Sequence, residues 1–314
     1  MAILLNNSGS DNTQWQQALA EFIPKMPVYT YPDIPDPTAI QYALVWNHPI
    51  GDLNRYKNLR CVLSLAAGME HLMKDPDLPD VPLVSLGDPA MSRDMANYAL
   101  FWIMDIHRHY DEYRAQQAQQ IWQRIEPKMT DEFQVLVLGQ GRIATLVTQS
   151  IQQAGFSVSA WDFKEKQVAN PNTYFGKESL KELLPKADVV VSCLALNERS
   201  HHLINREFIN QLSDGAAIIN ISRGNIIDET ALLEALNSDQ IGRAVLDVFA
   251  TEPLPQKHPL WSHEKVRATP HMSGPTYARS AAKVIIENIQ RMENGSLPQP
   301  IFDRSRGRQK NDQA

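Results

Sequence analysis

Apolar positions along this chain come in short, nearly unbroken runs separated by segments of helical spacing. The runs AILLN (residues 2–6), YALVW (42–46), RCVLSL (60–65) and PLVSL (82–86) read as short strands. Prolines crowd the stretches between them, which suits turns and not helix interiors. Strands alternating with helical or loop segments make an α/β pattern. From Met91 to Ile106 the spacing predicts a helix that is apolar almost all round, with Met95, Ala99, Leu100, Phe101, Trp102, Ile103 and Met104 among its residues. Such a helix must be covered on every side. Residues 107–124 then space Tyr110, Tyr113, Ile121 and Trp122 like a longer amphipathic arm. A two-fold homodimer built on the 91–124 helices would cover both. An internal helix at a domain junction is the other reading.

A second α/β region begins at Phe133. Its strands are predicted at 134–138, 157–161, 188–193, 216–220, 243–247 and 265–269, with helices at 142–154, 178–184, 205–212 and 228–237. Repeated strand–helix alternation gives a parallel, doubly wound sheet with right-handed crossovers. Ile143, Leu146, Val147 and Ile151 share one face of helix 142–154, and Gly155 ends it. The last helix, 275–294, has no strand after it and is expected to cross back onto the first region. The fold class is therefore α/β, with two Rossmann-like, doubly wound parallel-sheet domains. A discontinuous substrate domain of residues 1–94 and 276–314 is interrupted by a nucleotide-binding domain of residues 95–275.

Composition narrows the function. A length of 314 residues fits two domains, and 43% hydrophobic with 21% charged residues is ordinary for a globular protein. The formal net charge of −6 offers no positive field for nucleic-acid phosphates, so nucleic acid is not the main partner. Cys61 and Cys193 lie in apolar runs without ligand spacing and read as core residues, leaving no metal site and no disulfide framework. The start MAILLNN is too short and lacks the basic residues of a signal peptide, and no apolar run approaches the roughly 20 residues of a membrane span. The expected compartment is cytoplasmic, with no membrane partner. The polar tail 303–314 is expected to fray.

Specific chemistry begins with VLVLGQGRIATL (135–146), which runs from a strand through Gly139, Gly141 and Ala144 into a helix. This is the dinucleotide-binding pattern G-x-G-x-x-G/A in its confirming context. Gly139 permits the tight turn, Gly141 lets backbone approach the pyrophosphate, and Ala144 keeps helix and sheet close. The helix N-terminus presents free N–H groups and a positive dipole to phosphate, and Arg142 adds a charge. Asp162 ends the next strand, where a carboxylate bonds the ribose hydroxyls and repels a 2′-phosphate. That favours NAD; Lys164 and Lys166 just beyond leave NADP open. A simple helix cap is the plainer role for Asp162.

Three segments of the last third each read as a buried strand and a short loop: AAIINISRG (216–224), GRAVLDVFATEPLP (242–255) and KVRATPH (265–271). They end near Arg223, Glu252 and His271, residues able to converge on one crevice of an α/β sheet. A carboxylate bonded to an imidazole fixes the ring and favours its protonated form. His271 held by Glu252 is then a general acid for a carbonyl oxygen. Arg223 offers bidentate recognition of a carboxylate and charge beside a developing alkoxide. A surface salt bridge for Arg223 and a solvated loop position for His271 are the alternatives. Asp247 ends the apolar strand AVLD, where a carboxylate needs a partner; a nicotinamide carboxamide would be suitable.

GQGRIA, ISRGNIIDETALLEAL, LDVFATEPLP and TPHMSG together resemble the D-isomer-specific 2-hydroxyacid dehydrogenase family over essentially the whole length. YALVWNHP, LAAGMEHL and HPLWSHEKVRATPHMSGPT are most similar to its bacterial glyoxylate/hydroxypyruvate reductases of the A type. The resemblance implies a hydride passed from a nicotinamide cofactor to a small 2-oxo acid, in a cleft between the domains. It implies Arg223 and His271 as catalytic with Glu252 as the histidine's partner. Arg142, Ile143, Asp162, Ile221, Ser222, Arg223 and Asp247 would surround the cofactor. The backbone of Ala67, Gly68 and Met69 would receive the substrate carboxylate, and Trp46, Met69 and the partner-subunit arm would shape the pocket. The chain departs from the family pattern at Glu70, Asn97 and Ala195, and it has Asp162 and Phe163 where the A-type reductases carry basic residues and lean to NADPH. The rival readings are a formate or phosphite oxidiser of the same fold and a non-catalytic dinucleotide-sensing regulator.

Overall fold

The structure is a computed structural model that describes residues 1–7, 11–165, 170 and 172–304. Lys166 and the tail beyond Arg304 lie outside those residues. The chain divides into two compact units, one of Met1–Met91 with the chain from Thr276, the other of Ser92–Pro275.

The first unit is built on a five-stranded, wholly parallel sheet in the order β2-β1-β3-β4-β5. Its strands are β1 (Ala2–Asn7), β2 (Val28–Thr30), β3 (Ile40–Trp46), β4 (Cys61–Ser64) and β5 (Leu83–Val84). Side chains on a strand alternate between faces, and both faces are covered here. Ile3, Leu5, Tyr42, Leu44, Cys61 and Leu63 point to a core shared with α1 (Thr13–Phe22) and α9 (Ala278–Glu293). Ala2, Leu4, Ala43, Val45 and Val62 point the other way, to a core with Leu72 of α2 (Glu70–Met73). Burial on both faces explains why these strands are continuous apolar runs rather than alternating ones. The last helix does return to this unit: Ala281, Ala282, Ile285 and Ile289 pack in its core. Arg279 clasps Glu21 across α1 and α9, and Arg60 meets Glu293 at 2.6 Å.

The second unit holds a seven-stranded parallel sheet in the order β12-β11-β10-β9-β6-β7-β8. The strands are β6 (Gln134–Leu138), β7 (Ser157–Asp162), β8 (Thr173–Phe175), β9 (Val189–Ser192), β10 (Ala216–Asn220), β11 (Ile241–Leu246) and β12 (Val266–Ala268). Counted from β6, this is the 3-2-1-4-5-6 order of dinucleotide-binding sheets with one strand added. Val135, Val137, Val189, Val191, Ile219 and Val245 face α3 (Pro89–His107) and α5 (Arg142–Gln153). Leu136, Leu138, Val190, Ile218 and Leu246 face α6 (Gly176–Leu183), α7 (Arg206–Ile209) and α8 (Glu229–Asn237). Each fully buried Leu, Ile or Val contributes roughly 1.5–3 kcal/mol, so these two layers dominate the unit's stability.

The arm after α3 differs from its predicted form. His109 adopts a left-handed backbone (φ 56°) that ends α3 and starts α4 (Tyr110–Ala118), and Gln120 (φ 57°) follows that helix. Ile121 and Trp122 therefore lie in irregular chain, and Trp122 is fully exposed. Charge rather than an apolar stripe anchors α4: Asp111 meets Arg114, Arg243 and Arg267, and Arg114 also reaches the buried Asp105 at 2.8 Å.

Candidate active site

The sheet order of the second unit reverses at β6, which has β7 on one side and β9 on the other. Ligands of open α/β sheets bind beyond the strand ends at such a switch point. Gly139 follows β6 with φ 115°, and a Cβ there would lie 3.0 Å from the Cys193 carbonyl oxygen, so only glycine fits. Its N–H donates to Trp161 O at 2.7 Å. At Gly141, the N-cap of α5, a Cβ would meet nothing within 4 Å. That open space lies before a helix N-terminus whose first N–H groups have no helical acceptor. Arg142 is exposed, Ile143 half-buried, and Ala144 fully buried against the sheet. The residues present fit a dinucleotide pyrophosphate.

Asp162, at the end of β7, accepts from Gln140 N at 3.1 Å and from Phe163 N at 2.7 Å. It thereby holds the glycine loop. Lys164 is exposed beside it, and the Arg199 guanidinium lies over the Phe163 ring, 4.6 Å from its centroid. Ile221 and Ser222 are buried after β10. Ser222 Oγ bonds Ser192 Oγ at 2.7 Å and Asn220 Oδ1 at 2.7 Å, which ties the ends of β9 and β10 together.

Of the three reaction residues, the structure joins two directly. His271 Nδ1 and Glu252 Oε2 are 2.8 Å apart, both side chains remain part-exposed, and Nε2 is left for a ligand. Glu252 Oε1 accepts from Phe249 N at 3.0 Å, so the carboxylate is itself fixed. Arg223 sits one strand away, after β10, half-buried, with its guanidinium donating to Ser222 O at 2.6 Å and Asn220 Nδ2 donating to its carbonyl at 3.0 Å. The next residue, Gly224, abuts the chain that follows β11: a Cβ on it would fall 1.8 Å from Phe249 C. The Arg223 loop and the Glu252 loop thus touch through bare backbone. Sequence reading took Gly224 only as the residue that flanks Arg223 at the strand end, although a glycine directly after a site arginine is also the signal for a close backbone approach.

Asp247 has partners within the chain. It is fully buried and accepts from Thr269 Oγ1 (2.6 Å), Met272 N (2.8 Å) and Ser273 N (2.9 Å). It clamps the loop bearing His271, whose own backbone is left-handed (φ 52°) and whose N–H donates to Asp247 O at 2.8 Å. Because the Thr269 hydroxyl donates to the carboxylate, the Tyr98 hydroxyl must donate to Thr269 Oγ1 at 2.6 Å. Burial pushes the Tyr98 phenol up to about 12 and keeps it a neutral donor. Tyr98 was not singled out in the sequence, since a tyrosine in an apolar helix carries no motif.

The residues expected to meet substrate in the first unit lie at the ends of β3 and β4. Trp46 closes β3 half-buried. Among the described residues, the N–H groups of Ala67, Gly68 and Met69 donate to no protein acceptor. The Met69 side chain packs in the core with Leu72 and Leu53, and the whole residue is only 4% exposed. No cluster of metal-ligating residues is found among the described residues. A cavity of about 660 Å³ lies under the arm, lined by His107, Arg108, Tyr113, Arg124 and Lys128, away from the loops that carry Arg223 and His271.

A glycine loop at a sheet's switch point and a carboxylate-held imidazole four strands along define a nicotinamide-dependent dehydrogenase. Residues 100–273 match the family D-isomer specific 2-hydroxyacid dehydrogenase, NAD binding domain, and the chain belongs to the D-isomer-specific 2-hydroxyacid dehydrogenases, NAD(P)-dependent enzymes. It is 36% identical over 278 residues to glyoxylate/hydroxypyruvate reductase A of Yersinia enterocolitica, covering 87% of this chain and 89% of that one. Among solved structures it is similar to a D-isomer specific 2-hydroxyacid dehydrogenase from Xanthobacter autotrophicus Py2 in complex with NADPH and MES, with TM-score 0.93, 35% identity and coverage of 98% and 99%. It is also similar to the NADPH-dependent glyoxylate/hydroxypyruvate reductase of Sinorhizobium meliloti in complex with NADP and sulfate, with TM-score 0.91, 26% identity and coverage of 98% and 100%. Among the described residues no helix is long and apolar enough to cross a membrane.

Proposed function

We propose that this enzyme reduces small 2-oxo acids of the glyoxylate/hydroxypyruvate class to the 2-hydroxy acids, with His271 as the proton donor. The observation that carries the reading is the 2.8 Å bond between Glu252 Oε2 and His271 Nδ1. It orients the ring so that Nε2 presents a proton to the carbonyl oxygen, and the carboxylate balances the imidazolium before transfer. Bound nicotinamide supplies the hydride. Arg223 binds the substrate carboxylate and stabilises charge on the oxygen as it becomes an alkoxide. The N–H groups of Ala67, Gly68 and Met69, which have no acceptor among the described residues, receive the substrate carboxylate, and Trp46 limits substrate size. Gly139, Gly141, Arg142, Ile143 and Asp162 hold the dinucleotide, with Ile221, Ser222 and Asp247 toward its nicotinamide end. The relatives' names support the substrate class; the NAD-binding family model together with the NADPH and NADP complexes of the similar structures supports use of NAD(P).

The enzyme acts as a cytoplasmic homodimer through residues 91–124. Phe101, Met104, Tyr110, Ile121 and Trp122 are exposed in that region, and apolar patches of this kind mark interfaces. Light scattering should give twice the chain mass, and a monomer would refute that part. For the reaction, initial rates of glyoxylate, hydroxypyruvate and pyruvate reduction with NADH and NADPH in parallel are the test. Loss of nicotinamide absorbance with glyoxylate or hydroxypyruvate is expected. Cofactor binding without turnover of any 2-oxo acid would instead favour the sensor.

A further inference from the structure

His71 of α2 connects every first-unit segment that the proposed reaction uses, yet no motif assigns it a role. It is buried at 8% exposure. Its Nε2 lies 2.9 Å from Ser64 Oγ at the end of β4, and its Nδ1 receives a long bond, 3.4 Å, from Asn47 N just after β3. Its ring also lies against Trp46, with centroids 4.6 Å apart.

The bonds fix the ring's tautomer. Ser64 Oγ is 2.9 Å from Ala66 O, which can only accept, so the single hydroxyl proton goes there. Ser64 Oγ therefore accepts from His71, and Nε2 carries the imidazole proton. Nδ1 keeps its lone pair, which is what the Asn47 N–H requires. Ala66 N closes the loop by donating to Ser64 Oγ at 3.1 Å. Asn47 has a left-handed backbone (φ 52°), a conformation that needs support in a residue other than glycine. The support is two-sided: the next residue, His48, is buried and bonds Asp75 at 2.9 Å, just beyond α2.

We propose that His71 is a positioning residue for the substrate, which registers the Ala66–Met69 loop against Trp46 and Asn47. This rests on the reading that the loop receives the 2-oxo acid's carboxylate. Neutral His71 joins the loop that binds the carboxylate to the tryptophan that limits the other end of the acid. Its bonds run to Ser64 and Asn47, which carry the substrate loop and the Trp46 turn, so its loss acts on substrate binding and not on proton or hydride transfer.

The test is steady-state kinetics with glyoxylate and hydroxypyruvate at saturating NADPH, with NADPH affinity measured by fluorescence titration. The proteins are wild type, His71→Leu, His71→Asn, His71→Gln and Ser64→Ala. His71→Leu should raise KM about tenfold or more, since a lost hydrogen bond of about 1–1.5 kcal/mol corresponds to about one decade. Its kcat and NADPH affinity should change less than about threefold. Asn can return an acceptor to Asn47 N–H and Gln a donor to Ser64, so each should recover part of the KM. Ser64→Ala should raise KM in the same sense. If His71→Leu does not fold, the Asn and Gln variants decide, with KM raised and kcat held as the supporting result. An unchanged KM, or Asn and Gln variants in which kcat falls as far as KM rises, overturns the inference while wild-type turnover leaves the reaction standing. A wild type that reduces no 2-oxo acid overturns the proposed reaction and this inference with it.

Discussion

Replacing Gly224 by alanine tests how the site is assembled more sharply than replacing a reactive group. The new Cβ would lie 1.8 Å from Phe249 C, 2.1 Å from Phe249 O and 2.2 Å from Ala250 N. These are backbone atoms and cannot swing aside. Carbon atoms in contact sit at roughly 3.5–4.0 Å, so the two loops must part by more than about 1.5 Å. Phe249 N is the anchor for Glu252 Oε1, and Glu252 holds His271, so the displacement reaches the proposed proton donor. Misplacement by about 1 Å costs about a hundredfold in rate. We therefore expect Gly224→Ala to lower kcat/KM for glyoxylate at least a hundredfold, about 2.7 kcal/mol. Overpacking of this kind destabilises by about 1–3 kcal/mol, a drop of about 2–12 °C in Tm. Dinucleotide affinity should hold, because the glycine loop follows β6 and Gly224 follows β10. A variant with wild-type kcat/KM and an unshifted Tm would refute the close approach of the two loops.

Three further outcomes follow from the same geometry. Gly141→Ala places its methyl in open space, so Tm should not change while NADPH affinity falls about tenfold or more; unchanged affinity in a titration would remove Gly141 from the pyrophosphate site. Asp247→Ala removes an acceptor from Thr269, Met272 N and Ser273 N, and leaving such buried donors unpaired costs about 1–3 kcal/mol each. A clear fall in Tm together with kcat is expected, and calorimetry showing no loss would contradict the clamp. Asp75 is pushed up by burial but held lower still by N–H bonds from Gly51 and Asp77 and by His48, so its folded pKa lies below the unfolded one. Its stabilisation is complete above about pH 4 and fades as pH falls through the lowered value. Asp75→Asn should flatten that acid limb in a denaturation series, and an unaltered limb would exclude Asp75 as its source.

Much of the fold was legible because buried parallel strands write themselves as unbroken apolar runs, and because glycine spacing at Gly139 and Gly141 reports backbone geometry directly. β2 and β8 escaped because VYT and TYF contain no fully buried residue and so write no apolar run. The arm was misjudged as continuous since nothing in the sequence marks His109 and Gln120 as left-handed. Tertiary partners were the larger loss. The internal partners of Asp247 went unread because its donors, Thr269, Met272 and Ser273, stand more than twenty residues away on the next loop. Met69 was given a wall of the pocket, yet helix α2 turns its side chain into the core. His71 stands in the quoted LAAGMEHL segment without being singled out, since a lone histidine looks the same in a sequence whether it is filler or hub.

The central claim is that His271, oriented by Glu252, gives the proton. The most direct measurement is kcat for glyoxylate with His271→Asn and Glu252→Gln, each alongside NADPH affinity. The account predicts kcat down about a hundredfold or more for His271→Asn and a smaller but clear loss for Glu252→Gln, with cofactor affinity unchanged in both. Turnover of His271→Asn within about threefold of wild type would contradict it.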